Sequence, residues 1–240
     1  MKLFSWHSPP AKVVLGNEDV HIWYVDLREI QRIEDLKKVL APDELIKAGR
    51  RHFKKDRDRY IVTRGILRIM IGDYLSADPC QLQFSYSAYG KPTLGDSPLH
   101  FNLSHSNDVT LYAFTRNRDI GIDVEKIRTD LNTQEITERF FTPKENGFIN
   151  ALPNDKRYEA FFSFWTRKEA YIKGKGQGMS ISLDSFDVSG ISRNSSSETL
   201  NGWSLTELNP ASGYIANLAV EDFDWRLSCW KWKFNLTIPL

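Results

Sequence analysis

Ile120-Gly121-Ile122-Asp123-Val124-Glu125, followed 44 residues beyond Glu125 by Glu169 in Trp165-Thr166-Arg167-Lys168-Glu169-Ala170-Tyr171-Ile172-Lys173, decides how the chain is read. The first stretch alternates Ile120, Ile122 and Val124 with Gly121, Asp123 and Glu125, the period of a half-buried strand. Asp123 and Glu125 therefore share one face. In the second stretch Trp165, Glu169 and Lys173 recur at i, i+4 and i+8, which predicts one stripe along a helix.

Three carboxylates in one poorly solvated place repel each other, and a counter-charge relieves that repulsion. Asp123, Glu125 and Glu169 offer hard oxygens without sulfur, and they are too few to close a cage. That donor set suits Mg²⁺, which keeps positions open for water and substrate phosphates. A pyrophosphate-bearing ligand follows from it.

Gly121-Ile122-Asp123-Val124-Glu125 and Trp165-x-x-Lys168-Glu169-Ala170-x-x-Lys173 resemble the two signature motifs of the Sfp-type 4′-phosphopantetheinyl transferases, in the order and at the spacing of that family. A third stretch, Phe101-Asn102-Leu103-Ser104-His105-Ser106, is similar to the family's F-N-[IL]-S-H-S. The overall run is similar to cyanobacterial members. The resemblance implies transfer of the 4′-phosphopantetheine arm of CoA to a serine of an acyl or peptidyl carrier protein, with release of 3′,5′-ADP. It also implies two similar α/β halves, a pseudo-dimer with the active site in the cleft between them.

Composition bounds the alternatives. The 240 residues are enough for one large domain or two fused small ones, and 41% hydrophobic with 26% charged residues describes an ordinary globular chain. A formal net charge of +1 gives no global field toward nucleic acid or an anionic membrane, so neither partner is expected. Cys80 and Cys229 lack disulfide or metal-ligand spacing, and no apolar run approaches the roughly 20 residues of a membrane span. A cytoplasmic setting is expected.

Along the chain, His21–Leu27 reads as a strand, residues 42–48 as a helix opened by Pro42-Asp43-Glu44, and Arg57–Leu75 as a long amphipathic helix. Between them Arg50 to Arg64 carries seven cations offset by Asp56 and Asp58. Such density suits a phosphate-rich ligand, although a solvated helix face would read the same. The resemblance extends here through Arg50-x-x-Phe53 and Arg64-Gly65-x-Leu67, and it favours Arg50 and Arg64 as CoA-phosphate ligands over Lys47 and Arg51.

Leu82–Tyr86 reads as a short strand before a turn at Ala88-Tyr89-Gly90-Lys91-Pro92. The resemblance lays Tyr89, Gly90, Lys91 and Pro92 along the nucleotide end of CoA, with Lys91 on phosphate. It also assigns Ser104 and His105 to CoA phosphate. Further strands are expected at Val109–Phe114, Phe186–Val188, Ser204–Leu208, Tyr214–Val220 and Arg226–Lys233. Helices are expected at Thr133–Phe141, Lys144–Ala151 and from Asp155 through the Glu169 stripe, with Ile191–Gly202 a surface loop. The glycines 174, 176 and 178 follow a helix and therefore read as a cap and loop, since phosphate-binding glycine loops precede one.

Pattern alone supports an α/β or α+β chain. The resemblance divides it into an N-terminal half, 1–117, that binds CoA phosphates, and a C-terminal half, 118–240, that binds metal and docks the carrier. It makes Asp123, Glu125 and Glu169 the metal ligands, with Asp123 and Lys173 also touching CoA. Glu169 and Lys173 become the catalytic pair, Glu169 accepting the serine proton and Lys173 serving the departing phosphate oxygen. Two fused halves make a monomer sufficient. A non-catalytic CoA- or nucleotide-binding module is the alternative of another class. A different Mg²⁺-dependent phosphotransferase or hydrolase is a third.

Overall fold

The computed structural model describes residues 4–191 and 199–233. The chain begins with strand β1 (Asp19–Asp26), helices α1 (Ile33–Lys38), α2 (Pro42–Gly49) and α3 (Lys54–Leu75), and the short strands β2 (Ser85–Tyr86) and β3 (Pro92–Thr93). A hairpin follows, β4 (Leu99–Ser106) and β5 (Val109–Arg116). The sequence of elements then repeats: β6 (Ile120–Lys126), α4 (Thr133–Phe140), α5 (Pro143–Ala151), α6 (Asn154–Lys175), β7 (Thr199–Leu200), and a second hairpin, β8 (Trp203–Leu208) and β9 (Tyr214–Glu221). Strand β10 (Arg226–Lys231) closes the chain.

The two halves share one topology. In the first sheet the order is β10-β1-β5-β4 and in the second β6-β9-β8-β7, so in each half the leading strand pairs with the later strand of the hairpin. Each half also carries a 22-residue helix, α3 or α6, whose C-cap residue, Ser76 or Gly176, sits in the left-handed region. This likeness is invisible as a sequence repeat because only burial pattern and element order are shared.

Three apolar clusters hold the layers together. Leu36, Ile66, Leu67, Ile71 and Phe114 pack α1 and α3 on the first sheet, while Phe161, Tyr171, Trp203 and Leu205 pack α6 on the second. Between the sheets lie Ile22, Leu111, Ile122, Val124 and Leu218, all fully buried. The apolar members of the Ile120–Glu125 stretch thus join the halves. Its Gly121 is set by close approach: a Cβ there would lie 2.0 Å from the Ala170 carbonyl oxygen and 2.3 Å from the Gly174 nitrogen. Only glycine lets α6 lie this close on β6.

Three expectations are corrected. Arg226–Lys231, expected in the C-terminal half, pairs in parallel with β1 of the N-terminal sheet, and Trp230 packs against His21 and Trp23. Phe186–Val188 forms no strand: the Phe186 and Val188 carbonyls are taken by the side chains of Lys168 and Arg167, which leaves them out of a ladder. The strand expected at Leu82–Tyr86 shrinks to Ser85–Tyr86, since Pro79–Gln81 forms a turn of 3₁₀ helix just before Leu82. Of the Ile191–Gly202 loop, residues 192–198 lie outside the described residues, and Thr199–Leu200 pairs with β8.

Candidate active site

Strands β4 and β6 are edge strands of different sheets, and polar side chains stitch them together. Asn102 Oδ1 accepts from the Ile122 amide at 2.9 Å, Ser104 Oγ donates to Asp123 Oδ1 at 2.8 Å, and Ser106 Oγ donates to Glu125 Oε2 at 2.7 Å. The period of two in Asn102-Leu103-Ser104-His105-Ser106 matches that of the facing stretch, so every second residue meets its counterpart. Asn102 and Ser106 were missing from the sequence-predicted site, though the same alternation marks them.

Helix α6 brings the next side chains. Lys173 Nζ donates to Asp123 Oδ1 at 2.6 Å and to Ser104 Oγ at 3.0 Å. Asp123 is 3% exposed, and its second oxygen, Oδ2, is buried without a hydrogen-bond partner. Burial first, then the Asp123 charge, pushes the Glu169 pKa above the usual range, with Lys173 opposing. Glu125 is also raised, by burial and by Asp123, against the Ser106 hydrogen bond.

These three carboxylates therefore stand within electrostatic reach of one another. Among the described residues no three acidic, histidine or cysteine side chains stand close enough together to hold an ion as they are placed. The donor chemistry nevertheless fits a hard divalent cation. The orphaned Asp123 Oδ2 is a costly buried acceptor, and a cation would relieve both it and the repulsion that raises Glu125 and Glu169. Lys173 supplies a counter-charge to Asp123.

A cavity of about 660 Å³ opens beside this group and is lined from both halves. Tyr89, Gly90 and Lys91 line it from the N-terminal half, and Glu169 and Lys173 from the C-terminal half. Phe140, Trp165, Ile172, Ile181 and Leu183 give it an apolar wall. The Lys91 ammonium is turned to the seam, donating to the carbonyls of Gly174 at 2.7 Å and Ile120 at 3.2 Å. Burial lowers its pKa, against the charge of Asp119. The adjoining Pro92 is in β3 and lines a smaller cavity of about 260 Å³ with His100 and Asp119.

The basic stretch is distributed differently from expectation. Arg64 is buried in an ion pair with Glu44, donates to the Tyr86 hydroxyl at 2.9 Å and stacks 4.0 Å above Phe84. It fastens α3 to α2, and its guanidinium has these partners in place of the phosphate expected of it. Arg50 is exposed at the end of α2. Arg59 and Arg51, together with Lys173, are the cations that bear on His105. The His105 pKa is lowered by partial enclosure first and then by these charges, although its ring is open to solvent. An exposed imidazole that feels the charge of three cations from both halves suits a dianionic phosphate.

Residues 119–223 match the model of the 4′-phosphopantetheinyl transferase superfamily, and residues 29–117 match that of the N-terminal region of 4′-phosphopantetheinyl transferases. The chain is 37% identical over 232 residues to the 4′-phosphopantetheinyl transferase HetI of Nostoc sp., covering 94% of this chain and 98% of the relative. It is 36% identical over 150 residues to Sfp of Bacillus subtilis, 62% of this chain and 66% of that one. A putative 4′-phosphopantetheinyl transferase of Synechocystis sp. is 33% identical over 150 residues, 61% of each. The chain belongs to the 4′-phosphopantetheinyl transferase family and is a transferase of that type.

Proposed function

We propose that this transferase moves the 4′-phosphopantetheine arm from CoA to a serine hydroxyl of an acyl or peptidyl carrier protein in the presence of Mg²⁺, releasing 3′,5′-ADP. The observation that carries this reading is the convergence of Asp123, Glu169 and Lys173, from a strand and a helix, beside a cavity lined by both halves. Asp123, Glu125 and Glu169 would hold the cation. When bound, it neutralises pyrophosphate charge in the transition state.

The chain's own residues do the rest. Glu169, whose side chain lines the cavity, takes the proton from the carrier serine. Lys173, which lines the cavity beside Asp123, offers its charge to the departing phosphate oxygen, where negative charge develops. His105, Arg51 and Arg59 hold the ribose phosphate, Ser104 and Ser106 orient Asp123 and Glu125, and Tyr89 and Gly90 border the nucleotide end.

Among the described residues no helix is long and apolar enough to cross a membrane. We assign the protein to the cytoplasm as a monomer, a reading supported by the free thiols of Cys80 and Cys229 and by a cavity that both halves of one chain line. Calorimetry of CoA with and without Mg²⁺ separates the enzyme from a plain binding module. Tighter binding with Mg²⁺, abolished in Asp123→Ala, is expected; CoA affinity indifferent to the metal would favour the module.

A further inference from the structure

Lys168 belongs to the same helical motif as Glu169 and Lys173, yet it plays no part in the chemistry above. Its side chain is fully buried. The ammonium has three donors, and each is placed: Glu145 Oε2 at 2.8 Å, the Leu183 carbonyl at 2.7 Å and the Phe186 carbonyl at 2.5 Å. Glu145 is equally buried and equally satisfied, its oxygens accepting from the amides of Val188 and Thr142, both at 2.8 Å. The preceding Arg167 donates to the carbonyls of Val188 and Ile191. Two consecutive buried cations of α6 thus fasten residues 183–191, and that segment begins at Leu183, in the apolar wall of the cavity.

A buried ion pair contributes little to stability by itself, because desolvation offsets most of its Coulomb energy. Its value here is geometric. No β ladder fixes residues 183–188, and these side-chain bonds supply the order that a ladder would have given. Ile181 and Leu183 line the cavity with apolar surface, which suits an uncharged stretch of ligand, and in CoA that stretch is the amide-and-alkyl arm beyond the pyrophosphate.

We infer that Lys168, paired with Glu145, is a positioning residue that clamps the segment from Leu183 to Val188 and so sets the apolar wall against which the pantetheine arm lies. The inference rests on the proposed CoA reaction, and the two are separable by experiment. The clamp is released by the double variant Lys168→Met/Glu145→Gln, which removes both charges together and keeps the side-chain volumes. Two affinities are compared with wild type: CoA, which carries the arm, and 3′,5′-ADP, which lacks it.

The expected result is CoA binding weakened about tenfold with 3′,5′-ADP binding unchanged. Equal weakening of both, or of neither, overturns the clamp. Hydrogen exchange of the wild-type protein gives a reading that does not depend on the variant folding. Amides of residues 183–188 should be protected to the level of α6, and exchange at the rate of an open loop overturns the proposal. Wild-type protein that binds neither nucleotide would sink the CoA reading while leaving the exchange result to judge the clamp.

Discussion

Lys173 Nζ lies 2.6 Å from Asp123 Oδ1, an ion pair that joins the end of α6 to the middle of β6 across the site. The same ammonium reaches Ser104 Oγ at 3.0 Å, so one cation ties α6 to both β4 and β6.

Lys173→Met keeps most of the length and removes the charge. Turnover should fall by roughly two to four orders of magnitude, the scale of a lost general acid or electrostatic partner. CoA should still bind by calorimetry. A rate within a few-fold of wild type would remove Lys173 from the chemistry.

Glu169 gives a pH signature. Its pKa is raised first by burial and then by Asp123, and a cation held there would oppose that rise, so the signature is read in the stability of the metal-free protein. A carboxylate whose folded pKa is raised favours folding below its unfolded pKa, and that contribution is lost as pH rises through the folded value. Glu169→Gln should therefore stabilise the metal-free protein at neutral pH while nearly abolishing turnover. Thermal melts in EDTA at two pH values check the first half, and a variant no more stable than wild type at neutral pH would refute it.

Gly121→Ala should be severe. The added methyl would meet backbone at 2.0 and 2.3 Å, and backbone cannot rotate aside as a side chain can. A loss of about 3 kcal/mol or more in urea unfolding is expected, at or beyond the upper end for overpacked cores. A loss under about 1 kcal/mol would mean that α6 does not lie this close on β6.

His21 adds an acid-side weakness. It is buried against Tyr74 and Trp230, and burial lowers its pKa to about 4, with Asp19 opposing. A depressed imidazole is neutral when folded, so its contribution is intact above the ordinary histidine pKa and is lost as pH falls through that value toward about 4. His21→Leu should flatten the decline of stability over that window by up to about 3 kcal/mol. An unchanged slope in pH-dependent urea melts would refute this.

How much of this was legible beforehand depended on whether the signal was local. The alternation around Asp123 and the i, i+4 step from Glu169 to Lys173 fix faces within single elements, and the structure keeps both. Ser106 was equally legible by the same alternation and was passed over because its neighbour His105 drew the chemistry. The basic stretch was not legible residue by residue. Arg64 and Arg59 are five apart on one helix, and only packing against Glu44 turns the first inward, while Arg59 acts on His105. The return of β10 to β1 joins segments about 200 residues apart, and no local pattern specifies such a pairing. Lys168 ran against expectation, since a lysine is almost never fully buried unless paired, and its partner Glu145 sits on another helix.

Intact-mass spectrometry of an apo carrier protein incubated with this chain, CoA and Mg²⁺, beside an EDTA control, tests the proposed reaction most directly. The predicted result is a gain of about 340 Da on the carrier, the phosphopantetheinyl group, with Mg²⁺ and none with EDTA. No gain on any of several acyl and peptidyl carriers, by a chain that still binds CoA, would contradict it.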